Sequence, residues 1–330
     1  MAKKRAREAD GASGPSDKMA VDGGESSDEE DFDMVNVEFE WFNFDADIDF
    51  HGVKALLRQL LDVDAALHDV SALSDLIVGE STIGSTVKVD GKETDPYAML
   101  TAVNLRERSA GASKKSVVEE LVRYLADKAG SSEGLKGSVV PELLRSQLAP
   151  SSSSGGEEAT VGLILAERLI NMPAEISPPM YRMVIDEIAD AVEDKEPYEF
   201  THYLVLSKTY TEVESALGNG EDMIIEEEDD GRGGKAASAG GRKKKRNRQD
   251  PTAAAAADQT WYFHPEDEVL QRHALAFGSY NFTKHDENIA DSKRAFQEMG
   301  IRPQGHMILI EAGKFEGAVK AISDYLAPPS

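Results

Sequence analysis

The 330-residue sequence contains no cysteine. This absence excludes disulfide bonds, thiol nucleophiles and zinc sites built on cysteine ligands, and it fits a reducing compartment. The seven histidines are scattered, and no two of them are four residues apart, as a helical metal clamp would require. We therefore expect neither a metal site nor a bound cofactor.

Long apolar runs and positive charge are also scarce. No apolar run approaches the roughly 20 residues that cross a bilayer, and the charged start of the chain, MAKKRAREAD, lacks the apolar region of a secretory signal. Acidic residues outnumber basic ones by 61 to 36, which gives a net charge of −25. Such a surface repels nucleic-acid phosphate and attracts basic proteins. We expect a soluble, intracellular protein with no direct nucleic-acid or membrane contact, although solubility alone also explains the charge.

Composition divides the chain into a tail, a domain and an insert. Residues 1–33 have few large apolar side chains and are predicted to be a disordered tail. Residues 34–330 are predicted to form a single domain. An insert at about 218–258 interrupts it with an acidic cluster, glycines, a basic run and five alanines, and is also predicted to be disordered.

Apolar periodicity predicts an α+β fold. Within 161–165, apolar side chains occupy nearly every position, which indicates a strand buried on both faces. Because strands and helices do not alternate regularly, we expect a single mixed, mostly antiparallel sheet flanked by helices. Strands are predicted at 35–41, 83–89, 96–105, 161–165, 200–213, 274–282 and 307–311, and helices at 50–61, 71–79, 116–129, 140–148, 174–191 and 315–326.

The segment VGLILAERLINMPAEISPPMY at 161–181 resembles the signature of the BCCIP family, in its plant-type form. Three other segments agree with it in order, namely VNVEFE at 35–40, GVKALL at 52–57 and YNF at 280–282. The resemblance covers roughly residues 35–326. It implies the fold of GNAT acetyltransferases without their activity, and a role in binding and escorting other proteins.

The same resemblance implies particular partners. Yeast relatives chaperone a basic ribosomal protein of the large subunit and assist the nuclear export of a lipid kinase. Animal relatives bind a cell-cycle kinase inhibitor and a homologous-recombination factor. We therefore expect a non-catalytic nuclear protein that shuttles to the cytoplasm, with a basic ribosomal protein, nuclear transport receptors and cell-cycle or recombination factors as partners.

An acyltransferase is the alternative from another class. Arg108-Ser-Ala-Gly-Ala-Ser113 partly matches the coenzyme A loop of the GNAT fold, in which backbone N–H groups at a helix start hold pyrophosphate. Ser113 stands where that loop has Gly or Ala, and a polar loop explains the same residues. An acidic histone chaperone is a third reading, which the charge alone fits equally well.

Two shorter motifs resemble parts of metal sites, but the other residues that each site requires are absent from this sequence. Asp45, Asp47 and Asp49 open like an EF-hand loop, but Phe50 and Leu56 stand where glycine and glutamate are needed, so Asp49 is interpreted as a helix cap. His264-x-Glu266 resembles half of a zinc deaminase signature, whose cysteine half cannot exist in this chain.

Three sets of surface residues are candidates for binding or modification. Dense basic residues suit the acidic grooves of an import receptor, and here they comprise Arg242, Lys243, Lys244, Lys245, Arg246 and Arg248. Ser26 and Ser27 precede acidic residues and are candidate phosphorylation sites. The carboxylates predicted to contact a partner are Asp186, Glu187, Asp190, Glu193 and Asp194 on one helix, where an ordinary solvated face is the simpler interpretation.

Overall fold

A computed structural model describes residues 38–80, 82–106, 116–149, 159–212, 260–283 and 301–327. These residues form one sheet of eight strands with helices on both faces, so the predicted α+β fold with a single mixed sheet is confirmed. The predicted tail, the loop at 151–158 and the insert at about 218–258 lie outside the described residues. Among the described helices, none has the length and apolar character that crossing a membrane requires.

The strand order is β1-β2-β3-β4-β5-β8-β7, with β6 paired to β5 off this path. All pairs are antiparallel except β4 with β5, which are parallel and joined through a helix. The strands are β1 Phe39–Asn43, β2 Ser85–Val89, β3 Ala98–Asn104, β4 Val161–Arg168, β5 His202–Glu212, β6 Thr260–Tyr262, β7 Ala276–Tyr280 and β8 Ile301–Glu311.

Seven helices are described, and two short 3-10 turns lie at Asp62–Leu67 and Ala174–Ile176. The helices are α1 Phe50–Leu61, α2 Val70–Gly79, α3 Val117–Ser131, α4 Val140–Gln147, α5 Ser177–Glu193, α6 Pro265–Arg272 and α7 Ala312–Leu326. Ser116 caps α3 by accepting a hydrogen bond from the Val118 backbone N–H, which fixes where that helix begins.

Each face of the sheet has its own apolar core. The first core joins α1–α4 to one face, and the second joins α5–α7 to the other. Leu163 and Leu165 of β4 point into the first core, whereas Ile164 points into the second. This alternation explains why almost every position of the strand is apolar, since both of its faces are covered.

The parallel pair β4–β5 separates part-way along its length. Val161–Leu165 pair with His202–Leu206, and beyond this point β4 remains paired only with β3. Thr209–Thr211 of β5 pair instead with β6, while β8 occupies their other side. Strand β6 therefore continues the sheet on the side that β4 leaves. We call this point of separation the fork.

The structure corrects several sequence-based expectations. Asp49 stands before α1 but makes no side-chain cap, because its carboxylate accepts from the Asp45 backbone N–H and pairs with Lys88 of β2. The predicted helix at 174–191 begins as a 3-10 turn, because α5 proper starts at Ser177. Strand β8 starts at Ile301, well before the predicted 307. Strand β6 and helix α6 were not predicted.

Candidate functional site

Charged side chains fill the fork. Glu167 and Arg168 end β4, Lys208 lies on β5, and His264 and Glu266 belong to the start of α6. All five are buried. They form what we call the fork cluster, which brings together residues from three elements that are distant in the sequence.

Glu167 lies at the centre of the fork cluster. One carboxylate oxygen, Oε2, is 2.9 Å from the Lys208 ammonium, and the other, Oε1, is 3.1 Å from His264 Nε2. Gln59 of α1 donates to Oε1 at 2.9 Å, and its backbone oxygen accepts from Lys208 at 2.8 Å. The contacts of Glu167 therefore tie α1 and α6 to the two strands that separate.

Arg168 and Glu266 form the second pair of the cluster. The guanidinium contacts both carboxylate oxygens, and the Nη2–Oε2 distance is 3.1 Å. Ser177, the first residue of α5, donates to Glu266 at 2.7 Å and accepts from Arg168 at 3.0 Å. This two-pronged geometry is the strong form of an arginine–carboxylate contact, and it ties α5 and α6 to the end of β4.

The cluster shifts the pKa values of its members in opposite directions. Burial lowers the pKa of His264, but the hydrogen bonds to Glu167 and Glu266 outweigh it and raise the pKa to about 9. Burial raises the pKa of Glu167, but the charge of Lys208 and the contact with His264 lower it to about 2. His264 is therefore protonated at neutral pH, and its charge is balanced inside the cluster.

Asp267 is the one fully buried carboxylate that faces the cluster without a direct cation contact in the described residues. Its side chain accepts a hydrogen bond from Ser207. Burial raises its pKa to about 7, with Glu266 adding to the shift and His264 opposing it. Near neutral pH this carboxyl group holds a proton for part of the time.

The space left at the fork is very small. A cavity of about 10 Å³ lies between the cluster and the apolar residues Met99, Ile176 and Met180. That volume admits at most about one water molecule. The arrangement holds α6 against the end of β4 and against β5.

A larger concavity lies at the C-terminal end of α1. This groove of about 700 Å³ runs between α1 and the start of α2, and its charged lining is mixed: Lys54 and Arg58 against Asp62 and Asp69. Among the described residues, no group of three or more histidines or carboxylates is placed to hold a metal ion.

The five predicted partner-binding carboxylates all lie on α5 or at its end, but they are not equivalent. Asp186, Asp190, Glu193 and Asp194 are exposed. Glu187 is half-buried and accepts a hydrogen bond from the Gly84 backbone N–H at 2.7 Å, so it holds the turn before β2. The other four surround the C-terminal half of the helix, where the last turn has no basic residue.

The four exposed carboxylates make this end of α5 an anionic surface. An anionic surface attracts cationic partners.

The remaining predicted sites lie outside the described residues. These are the basic run with Arg242, Lys243, Lys244, Lys245, Arg246 and Arg248, the serines Ser26 and Ser27, and the loop from Arg108 to Ser113. They remain predictions.

Sequence reasoning missed the fork cluster. In the sequence, His264 and Glu266 stand out only as half of a metal motif, and the predicted strand at 161–165 ends before Glu167 and Arg168. The available signal was two adjacent charges one residue beyond five buried strand positions, because charged residues in a strand covered on both faces need buried partners.

Comparison with known proteins gives a consistent set of relatives. The sequence model of the BCCIP family matches residues 34–270. Protein BCP1 of Gibberella zeae is 48% identical over 327 residues, which cover 99% of each chain. Protein bcp1 of Schizosaccharomyces pombe is 39% identical over 89% of this chain and 91% of its own. These relatives are fungal, whereas the sequence had been likened to the plant-type form.

A solved structure shares the fold. The crystal structure of BCP1 from Saccharomyces cerevisiae aligns with a TM-score of 0.54 at 23% identity, covering 91% of this chain and 93% of that one. At this identity the likeness concerns the fold alone.

Proposed function

Because the chain belongs to the BCCIP family, we propose that it is a non-catalytic nuclear escort protein. Its client is a basic ribosomal protein of the large subunit, which it binds until ribosomal RNA takes its place. The observation that carries the proposal is the net charge of −25 on a folded α+β protein. A newly made ribosomal protein is a cationic surface without its RNA, and an anionic protein shields that surface from wrong polyanions.

The negative charge does not come from the insert. The insert at about 218–258 holds eight of the 36 basic residues and nine of the 61 acidic ones, so the rest of the chain has 28 basic residues against 52 acidic ones and a net charge of −24. A surface of many negative charges attracts a polycation from solution. It releases that polycation when salt screens the attraction or when a stronger polyanion competes for it. This behaviour suits an escort that must give up its client.

The exposed carboxylates of α5 are the proposed contact surface. Asp186, Asp190, Glu193 and Asp194 are exposed around the C-terminal half of α5. A cluster of client lysines or arginines would meet opposite charge there. Glu187 is excluded from the surface, because its carboxylate holds Gly84.

The acyltransferase alternative receives no support from the names of the relatives. The histone chaperone alternative has the same charge argument as the ribosomal escort. Nuclear import through the basic run, export by transport receptors, and contacts with cell-cycle and recombination factors extend the proposal from the family resemblance.

Affinity purification of the full-length protein at moderate salt, followed by mass spectrometry, tests the proposal. We expect one basic ribosomal protein of the large subunit to dominate. Neutralising the α5 surface with D186N, D190N, E193Q and D194N should strongly reduce its recovery. Histones as the dominant retained proteins would replace the proposed client with the histone alternative.

The matched control neutralises four exposed carboxylates away from α5. The substitutions are D75N on α2, D127N on α3, E133Q between α3 and α4, and E142Q on α4. Both variants change the net charge by the same amount, so a difference in recovery reports the position of the charges. Equal losses in the two variants would assign binding to overall charge and remove α5 as the contact surface.

A further inference from the structure

An aromatic surface lies beyond the fork, where β5 and β6 run side by side. Tyr210 and Trp261 are direct cross-strand partners, and their rings stack at 17° with centroids 6.5 Å apart. Phe263, which follows β6, packs against Tyr210 with centroids 5.1 Å apart. We call these three residues the aromatic shelf.

The rings of the aromatic shelf are not buried by the rest of the described protein. Trp261 is 39% exposed, Phe263 is 37% exposed and Tyr210 is half-buried. Part of this contact holds the three-residue strand β6 to β5. The pairing of β5 with β6 does not require two large aromatic side chains to remain more than one-third exposed. Clustered exposed aromatic side chains mark sites of association.

The immediate surroundings of the aromatic shelf favour a cation. The Lys208 ammonium lies 5.3 Å from the centroid of the Phe263 ring on the buried side, and its charge is balanced by Glu167 at 2.9 Å. The exposed carboxylate Glu212 lies two residues beyond Tyr210 on the same side of β5. Aromatic faces attract guanidinium groups, and an adjacent carboxylate adds to that attraction.

We propose that the aromatic shelf binds arginine side chains of a cationic partner segment. This inference rests on the proposed escort function, because it supplies the polycationic client, and it adds a surface that selects arginine. The planar guanidinium stacks on aromatic rings, whereas the compact ammonium of lysine stays more strongly hydrated. The net charge of −25 brings the cationic segment to the protein, and the rings discriminate among cations.

The two tryptophans of the chain provide a direct test. Trp41 on β1 is 38% exposed, almost equal to Trp261, but within the described residues it has no ring contact. In the full-length W41F variant Trp261 is the sole tryptophan, and in W261F Trp41 is. We expect an oligo-arginine peptide to change Trp261 emission saturably and to leave Trp41 emission unchanged. Equal responses, or a silent Trp261, would overturn the proposal.

Affinity measurements give the second readout. We expect W261L to weaken oligo-arginine binding about five-fold, which corresponds to about 1 kcal/mol, while oligo-lysine of equal length binds the wild type more weakly and loses little in W261L. F263L should act in the same direction, so the test does not depend on one variant. Unchanged oligo-arginine affinity in both variants contradicts the shelf.

The outcomes also separate this inference from the escort function. If the ribosomal client is retained by W261L and F263L as by the wild type, the shelf is wrong and the escort function stands. If no basic protein or peptide binds at all, both fail.

Deleting residues 242–248 tests a competing occupant of the aromatic shelf. A change in Trp261 emission without added peptide would mean that the chain's own basic run occupies the shelf, and this would overturn binding of a partner there.

Discussion

At the scale of single residues, His264 shows how a buried base is held in its charged form. Nε2 lies 3.1 Å from Glu167, and Nδ1 lies 3.7 Å from Glu266 and 3.3 Å from the Arg168 guanidinium that pairs with Glu266. The two carboxylates overcome the penalty of burial and raise the pKa to about 9. The proton of His264 is thus a structural part of the fork.

A raised pKa makes the stability of the protein depend on pH in a defined window. His264 binds its proton more tightly in the folded protein, so its contribution is complete below its ordinary value of 6.5 and is lost as pH rises towards 9. The shift sets an upper limit of about 3 kcal/mol. Asp267 also has a raised pKa. Its contribution to stability is lost at lower pH values, as pH rises from its ordinary pKa of 3.8 to about 7.

We expect the free energy of unfolding of the wild type, measured by urea denaturation, to fall between pH 6.5 and 9. H264Q should be less stable at pH 6.5 and should have a flatter profile across this window. H51Q is the control, since His51 is exposed on α1, and it should follow the wild type. A wild-type slope retained in H264Q would contradict the assigned proton.

At the scale of elements, the fork depends on α6 being held by its buried first turn. Glu266 and Asp267 point inward, whereas Glu268 one position later is partly exposed, with 46% of its side chain accessible, and pairs with Arg272 at 2.7 Å. One short helix therefore carries a buried ion pair and an exposed one. This makes it a natural comparison of the two.

We expect E266Q to lower the free energy of unfolding by about 3–5 kcal/mol, because it leaves the Arg168 charge buried without its partner. E268Q should change it by about 0.5 kcal/mol or less, since exposed pairs contribute little. Hydrogen exchange of the α6 amides should rise in E266Q and remain slow in E268Q. Similar effects of the two substitutions would contradict the role of the fork cluster.

The elements also show which parts of the fold the sequence can predict. Strand β4 is predictable because Val161, Leu163 and Leu165 are apolar and no polar residue interrupts them. Helix α6 is not, because its inward face carries Glu266 and Asp267, which reverse the usual pattern of apolar residues inside.

Strand β6 was missed for a related reason. It has three residues, and only its pairing with β5 defines it. Within the fork cluster Glu167 contacts His264 across 97 residues, and Gln59 of α1 contacts Glu167 and Lys208 across 108 and 149 residues. No local pattern encodes such a contact, whereas the α5 carboxylates follow directly from helical spacing.

At the scale of the whole molecule, charge is divided between an acidic fold and a basic run. The run with Arg242, Lys243, Lys244, Lys245, Arg246 and Arg248 is the densest positive charge in a chain of net charge −25. An import receptor recognises such a run through acidic grooves. The proposal thus uses opposite charges for transport and for client binding.

We expect deletion of residues 242–248 to lower the nuclear-to-cytoplasmic ratio of a full-length fluorescent fusion. Deleting the five alanines at 253–257 is the control, because it shortens the same insert without changing charge. An unchanged distribution after the first deletion would remove the import role of the basic run.

The central claim is that an anionic folded protein binds a polycationic ribosomal protein through electrostatic attraction. Its most direct test is the affinity of the purified full-length protein for the ribosomal protein that it retains, titrated from low to high salt. We predict a dissociation constant that rises by at least about ten-fold between 50 and 300 mM salt, because screening weakens contacts between exposed charges. Tight binding that does not change with salt would contradict the claim.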